Sequence, residues 1–440
     1  MKIVFTGGGT GGHFYPIIAV AESVHKIVDR EKILDLELFY YSDAPYDKEA
    51  LFENGIKFQE ISAGKRRLYS SSQNFFDLFK TAAGVLQSIG SLFFLYPDVV
   101  FSKGGYAGFP VVCAARILGI PVVIHESDTV PGRVNEWAGK FAKRVAVSYD
   151  ETASYFKKDK VALTGQPIRQ DILEKKTDGA WDYFGLNPTK PTLLVIGGSL
   201  GAEAINNIIL DSLLVLLPKY QIIHQTGILN FEETKSRADF ILNGDKELIS
   251  HYKPFPFLGP LALKMAAGAA SLVISRAGSA IFEIAAWGLP SILIPIVTSN
   301  GDHQKKNAFN YARHGACEVI EEGNLSPTIL LSEVNRIFEN DIHRRNMAAS
   351  AKAFATPDAA DKIGRMLAEN LGRQFGQNFV VDNRPGGNGI IGADVVAKAP
   401  ADGYTLLFNA STFTTGPMVA KAPYDVQKDF MPVVLVAQAP

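Results

Sequence analysis

The chain has little sulfur and no evident place for a metal. Only two cysteines occur in 440 residues, Cys113 and Cys317. They lie far apart and outside any Cys-x-x-Cys or Cys/His cluster, so neither a disulfide framework nor a zinc site is expected. No Asp-x-Asp pair is present to hold a divalent cation, and no Gly-x-x-x-x-Gly-Lys-Ser/Thr loop marks a nucleoside-triphosphatase. Charge is nearly balanced at −1, which gives no reason to expect nucleic acid as a partner. A basic stretch followed by an apolar leader is missing: Lys2 to Thr6 reads at once as a strand, and the chain is expected to stay in the cytoplasm. Long uninterrupted apolar runs are also absent. The nearest, Asn74 to Tyr96, is broken by Lys80, Gln87 and Ser88, so it is expected to be a poor membrane span.

Apolar residues and glycine are what the chain has. Hydrophobic residues make up 47% and charged residues 20%, the balance of a globular protein with a large core. At roughly 150 residues per domain the length predicts two or three domains. Short apolar strands alternate with helical patterns throughout, so the fold class is α/β.

Several strand-to-helix turns are rich in glycine. The first is Gly7-Gly8-Gly9-Thr10-Gly11-Gly12-His13, after strand Lys2 to Thr6 and before a helix expected from Ile17 to Val28, with Pro16 near its start. The second, Ser102-Lys103-Gly104-Gly105-Tyr106-Ala107-Gly108, follows strand Val99 to Phe101. The third, Gly197-Gly198-Ser199-Leu200-Gly201-Ala202, follows strand Thr192 to Ile196. A fourth, Ser275-Arg276-Ala277-Gly278-Ser279, opens a helix carrying one carboxylate, Glu283. Such turns expose backbone N–H groups and the positive end of a helix dipole, which suits an anion such as a diphosphate. The carboxylate can accept from the two hydroxyls of a ribose diol. His125-Glu126-Ser127-Asp128 stands at the carboxyl end of strand Val122 to Ile124, where open α/β sheets bind ligands. His13 is a candidate general base, since the intrinsic pKa of a histidine lies near neutrality. Dinucleotide binding is the competing reading, but Gly7 to His13 does not fit the Gly-x-Gly-x-x-Gly pattern with an acidic residue about twenty positions on. The aromatic-rich segment Asn74 to Tyr96 is expected to be a core-facing crossover helix. The sharper alternative rests its apolar face, with Lys65 to Arg67 nearby, on an anionic membrane surface.

In this order and spacing, over about residues 1–370, the four turns and His125-Glu126 resemble the MurG family of peptidoglycan glycosyltransferases. The resemblance implies two Rossmann-like lobes with a cleft between them, the GT-B architecture. It also implies inverting transfer of N-acetylglucosamine from UDP-N-acetylglucosamine to lipid I, giving lipid II, with no cofactor and no metal, at the cytoplasmic face of the cell membrane. The lobes are expected at 1–163 (acceptor and membrane) and 164–356 (donor), with a final helix at about 357–370 packing back on the first. Carried over by motif, Thr10, Gly11 and Gly12 would lie against the diphosphates, and Arg169, Gly198 and Ser199 against the donor. Leu258 would meet the uracil through its backbone, Glu283 the ribose, and Gln304 the sugar hydroxyls. Asp128, Asn135 and Ser279 join the substrate-binding set, and His13 and Glu126 are the candidates for polarising the acceptor hydroxyl.

Two departures stand out. The family usually reads His-Glu-Gln-Asn where this chain has His125-Glu126-Ser127-Asp128, so an amide becomes a carboxylate. The interval from Arg276 to Glu283 is one residue shorter than usual. Acceptor choice is only weakly constrained, and diacylglycerol is an alternative. The tail is different again: Phe379 to Asn388, Gly392 to Ala397 and Asp402 to Phe408 resemble an N-terminal portion of periplasmic tricarboxylate-type solute-binding receptors. It is expected to be a short fused fragment without ligand function, although it alone would support a solute-binding reading.

Overall fold

The computed structural model describes residues 1–8, 10–31, 36–64, 73–198, 201–297, 302–372, 389–401, 405–407, 413–414 and 422–432. They belong to two units, Met1–Gly376 and Gln377–Pro440. Of the residues singled out from sequence, Gly9, Lys65 to Arg67, Ser199, Leu200, Phe379 to Asn388, Asp402 to Tyr404 and Phe408 lie outside the described set.

The first unit holds two parallel sheets. One comprises β1 (Lys2–Thr6), β2 (Glu37–Ser42), β3 (Ile56–Glu60), β4 (Val99–Ser102), β5 (Val122–Glu126), β6 (Arg144–Val147) and β7 (Val161–Leu163). The other comprises β8 (Thr192–Ile196), β9 (Gln221–Gln225), β10 (Tyr252–Phe255), β11 (Leu272–Ser275), β12 (Ser291–Leu293) and β13 (Cys317–Val319). Strand order is β3-β2-β1-β4-β5-β6-β7 in the first and β10-β9-β8-β11-β12-β13 in the second. Strands β4, β5 and β8 are buried at every position, as expected where helices cover both faces of a parallel sheet. Chain direction across the sheet reverses between β1 and β4, and between β8 and β11. A crevice must open at each reversal, beyond the carboxyl ends of the strands. All four glycine-containing turns follow these four strands.

Helices on the first sheet are α1 (Gly11–Glu31), α2 (Lys48–Glu53), α3 (Gln73–Leu95), α4 (Gly108–Leu118), α5 (Arg133–Gly139) and α6 (Asp150–Ala153). The connector carries α7 (Gln170–Leu173) and α8 (Ala180–Phe184). Around the second sheet come α9 (Glu203–Leu216), α10 (Phe231–Leu242), α11 (Lys246–His251), α12 (Pro260–Ala269), α13 (Ala280–Trp287) and α14 (His303–Arg313). α15 (Pro327–Glu339), α16 (Asp341–Phe354) and α17 (Ala359–Gly372) complete the unit. Each sheet is sandwiched between two apolar clusters, and α17 inserts Ile363 and Leu367 among Phe14, Ile17, Val20 and Val24 of α1.

Two helices differ from the sequence expectation. α1 begins at Gly11, so Pro16 stands inside it. A proline there has no N–H to give the Gly12 carbonyl, which therefore lacks its helical donor at the mouth of the turn. α3 is not the core-facing helix expected. Gly84, Ser88 and Leu92 are buried and Ile89 and Leu95 pack against the core, while Leu86 is 71% and Phe94 87% exposed. Its stretch Asp77–Leu95 is long and apolar enough, by length and composition, to cross a membrane. It nevertheless packs on α4 and joins strands of the same sheet, so it lies on the lobe.

In the second unit, α18 spans Ile390–Ala397. Phe413 stacks on Tyr424 at 5.9 Å between ring centroids and meets Phe430 edge-on at 4.8 Å.

Candidate active site

The first two glycine turns are packed into one surface. The Tyr40 hydroxyl donates to the Gly7 carbonyl at 2.6 Å, which pins the start of the first turn. A Cβ at Gly8 would stand 2.7 Å from both Ala107 Cβ and Ser42 Oγ, contacts too close for any side chain. Gly105, at φ +77°, faces the His13 ring, which a Cβ there would touch at 3.5 Å. Glycine is required at both places, at Gly8 by proximity and at Gly105 by its positive φ.

His13 sits in the first turn of α1, and its Nδ1 lies 3.0 Å from the Gly8 carbonyl. A carbonyl only accepts, so Nδ1 carries the proton and Nε2 keeps its lone pair. Burial, then the charge of Lys103, holds the imidazole below its usual pKa, with Asp128 opposing and His303 assisting. The ring is thus neutral near pH 7 with a free basic nitrogen. Glu126, the other candidate base, is disposed differently. Its Oε1 accepts from the N–H groups of Ser127 (2.8 Å) and Asp128 (3.1 Å). Its Oε2 accepts from Gly132 N–H and Asn135 Nδ2, both at 2.9 Å. Four donors hold this buried carboxylate against the loop after β5, while burial and then the Asp128 charge push its pKa up. Asn135 is likewise buried; its Nδ2 donates to Glu126 and to the His125 carbonyl, while its Oδ1 has no partner among the described residues.

The second sheet supplies the opposing wall. A Cβ on Gly12 would meet Ser279 Oγ at 3.0 Å, so the first and fourth turns touch across the lobes. Beside them a cavity of about 20 Å³ is lined by Gly11, Tyr15, Gln166, Arg169, Ser279 and Glu283, among others. The Arg169 guanidinium lies 4.0 Å from the Tyr15 ring centroid and 3.6 Å from the Asp171 carboxylate, and its buried Nε has no partner among the described residues. Burial pushes the Glu283 carboxyl up to about 7, with Arg169 opposing and Asp171 adding to the rise. Thr10 is exposed at the rim, where its carbonyl receives the N–H groups of His13 and Phe14.

Gln225 joins two other expected residues. Its Nε2 donates to the Gly198 carbonyl at 3.3 Å, and its Oε1 accepts from Leu258 N–H at 2.9 Å. The backbone group that Leu258 has left for a base is therefore its carbonyl. Gln304 Oε1 accepts from Ile296 N–H at 3.2 Å, leaving its amide hydrogens to donate.

Sequence reasoning assigned no part to Asn307, Lys103 or Gln166. Asn307 Nδ2 donates to Asp128 Oδ1 at 2.8 Å, and its Oδ1 accepts from Thr129 N–H and Thr129 Oγ1, each at 3.0 Å. Asp128, whose change from an amide was the first departure, thus contacts the second lobe directly. The signal for Asn307 was its position one helical turn after Gln304, on the same face of α14. For Lys103 it was a lone cation beside a glycine pair at a strand end. Among the described residues no group of three or more His, Cys, Asp or Glu side chains could hold a metal ion.

Comparisons with known proteins agree with one another over the first unit. Residues 3–147 match the glycosyltransferase family 28 N-terminal domain and residues 192–363 its C-terminal domain. Residues 363–440 match the tripartite tricarboxylate transporter family receptor. The UDP-N-acetylglucosamine–N-acetylmuramyl-(pentapeptide) pyrophosphoryl-undecaprenol N-acetylglucosamine transferase of Treponema denticola is 36% identical, over 83% of this chain and 96% of its own length. The Legionella pneumophila protein of the same name is 38% identical, over 84% and 96%. A crystal structure of MurG from Acinetobacter baumannii superposes with a TM-score of 0.62 at 24% identity, covering 84% of this chain and 99% of that one. An S. aureus MnaA–UDP structure reaches the same TM-score at 14% identity, a likeness of fold alone.

Proposed function

The chain belongs to glycosyltransferase family 28, among the transferases that name UDP-N-acetylglucosamine and N-acetylmuramyl-(pentapeptide) pyrophosphoryl-undecaprenol, and on that premise we propose how its residues divide the reaction. N-acetylglucosamine passes from UDP-N-acetylglucosamine to lipid I, giving lipid II. The acceptor hydroxyl oxygen attacks the anomeric carbon as the bond to the diphosphate oxygen breaks. UDP leaves with that electron pair, and the hydroxyl proton goes to His13 Nε2. The observation that carries this reading is the His13 geometry: a neutral ring, oriented through Nδ1, at the meeting of two glycine turns. General base catalysis asks for a group of this kind near the operating pH.

Charge on the departing diphosphate would be met by Arg169 and by the N-terminal amides of α13, whose first turn opens on the cleft at Ser279. Glu283 would accept from the ribose hydroxyls, the Leu258 carbonyl would face the uracil, and Gln304 would donate to the sugar. Asp128 stands on the acceptor side. Fixed protein charge then does what a divalent cation does elsewhere, so turnover should persist in excess chelator.

The exposed face of α3 supports peripheral attachment to the cytoplasmic face of an anionic membrane. Leu78, Phe79, Leu86, Phe93 and Phe94 are all more than half exposed, and burying each in the headgroup boundary contributes on the order of 1–3 kcal/mol. Replacing Leu86, Phe93 and Phe94 together by Ser should reduce co-sedimentation with anionic vesicles by at least tenfold, by that estimate. Undiminished binding would assign attachment to another surface. The test of the reaction itself is incubation of the purified chain with labelled UDP-N-acetylglucosamine and a lipid I analogue, with the product weighed by mass spectrometry. A product one N-acetylglucosamine heavier is expected. Label on diacylglycerol, and none on lipid I, would overturn the acceptor assignment.

A further inference from the structure

Lys103 is buried, yet no residue described so far explains why a cation should be there. Its Nζ stands 2.5 Å from His125 Nδ1, 2.5 Å from Ser127 Oγ and 3.5 Å from Gln166 Oε1. The other His125 nitrogen, Nε2, lies 2.9 Å from the Gly165 carbonyl and so carries the ring's proton. His125 is therefore neutral, and its Nδ1 accepts from the ammonium. Ser127 also accepts from Lys103 and passes its own hydrogen to Gln166 Oε1 at 2.9 Å. One ammonium thus joins three segments distant in sequence: the second glycine turn, the end of β5 and the connector that runs on to Arg169.

We propose that Lys103 is a positioning residue for the transfer, clamping the second glycine turn to the connector so that His13 and Arg169, which stacks on Tyr15 of the same helix, are held in register. The Ser127 departure belongs to this clamp, since it is the hydroxyl there that accepts from Lys103. The carboxylates of Glu126 and Asp128 act on the same cation, and the cation in turn acts on His13. Burial pulls the Lys103 ammonium down to about 7, while Glu126 and then Asp128 hold it up.

The cation also acts on the base. His13 is faced by the Gly8 carbonyl from its own turn, by Lys103 from the second turn, by Asp128 from the loop after β5 and by His303 from α14. Of these, Lys103 is the larger of the two groups disfavouring protonation of the ring. Removing its charge raises the His13 pKa, so the pH below which the base is lost moves upward. A buried cation that only served stability would be an odd choice, because an apolar side chain of similar length avoids the desolvation.

The test compares the wild type with Lys103→Met and Lys103→Arg. It reads kcat/KM for a lipid I analogue against pH, and the His13 ring titration by NMR. Lys103→Met should lose about 10- to 100-fold in kcat/KM, the scale of a small misplacement of reacting groups. Its His13 midpoint and the acid limb of its pH profile should rise together, and Lys103→Arg should recover part of the rate and return the midpoint towards wild type. Wild-type kcat/KM in Lys103→Met overturns the proposal, as does a loss of rate with the His13 midpoint unmoved. The inference rests on His13 as base only for the limb: if the midpoint moves and the limb does not follow, the base assignment falls and the clamp stands. Should Lys103→Met fail to fold, Ser127→Ala and Gln166→Ala each remove one arm and keep the cation. Both should lower kcat/KM with the His13 midpoint in place, and wild-type rates in both overturn the clamp.

Discussion

At Glu283 a carboxyl is held where water is scarce, and its titration should be readable in donor binding. Its folded-state pKa, about 7, lies above the ordinary carboxylate value because burial outweighs the attraction of Arg169. A ribose diol offers two O–H donors, and only the ionised carboxylate has lone pairs for both without a competing proton of its own. UDP affinity should therefore strengthen as pH rises through about 7. Glu283→Gln should weaken UDP binding by about 1–3 kcal/mol at pH 8 and flatten the pH dependence. Isothermal titration at several pH values checks both, and a slope that survives in the variant would place the titrating group elsewhere. The sign for stability runs the other way. A carboxyl whose pKa is raised by folding costs the folded state its ionisation, so the penalty sets in above the ordinary carboxylate range and is complete above about 7. Ligand-free Glu283→Gln should then melt higher than wild type at pH 8 and at about the same temperature at pH 4.

At the scale of an element, α17 shows how close packing substitutes for area. Gly364 lets it lie down on α1: a Cβ there would stand 2.7 Å from Ser23 Oγ and 3.0 Å from Ile27 Cδ1. Ser23 Oγ donates to Asp361 Oδ1 at 2.8 Å across the same contact. Leu367 is wholly buried in it, so Leu367→Ala should cost about 2–5 kcal/mol by lost transfer energy and cavity. Gly364→Val, which cannot be absorbed without moving one helix, should cost at least about 1–3 kcal/mol by overpacking. Both are read as denaturation midpoints; an unshifted midpoint would mean that α17 is not part of the cooperative unit. The glycine turns were legible because strand, glycine and helix are neighbours in sequence, and the dihedrals they need are local. The exposure of α3 was not. Its apolar spacing is real, but whether Phe93 and Phe94 meet a neighbour depends on where α4 lies, and no local pattern states that. The Lys103 clamp was hidden for the same reason, its partners being 22, 24 and 63 residues away.

For the whole molecule the question is how much of it the reaction needs. Two parallel sheets, each reversing direction where its glycine turns stand, put those turns on both sides of one cleft. Asn307 spans that cleft to Asp128 and Thr129, and Gly12 approaches Ser279 beside the cavity lined by Arg169 and Glu283. Every described residue of the candidate site lies within Met1–Gly376, and so does α17, whose first residues close the N-terminal core. The receptor-family match begins at residue 363, inside that helix, and continues through the second unit. Nothing in the proposed chemistry calls on residues beyond it. A chain ending at Gly376 should therefore keep the wild-type kcat and both KM values, whereas one ending at Thr356 should lose its cooperative unfolding, because the groove on α1 that takes Ile363 and Leu367 is left open to water. Steady-state kinetics and thermal unfolding of the two chains side by side give the answer. A rate that falls in the chain ending at Gly376, with its melting temperature unchanged, would show that the second unit serves the transfer after all.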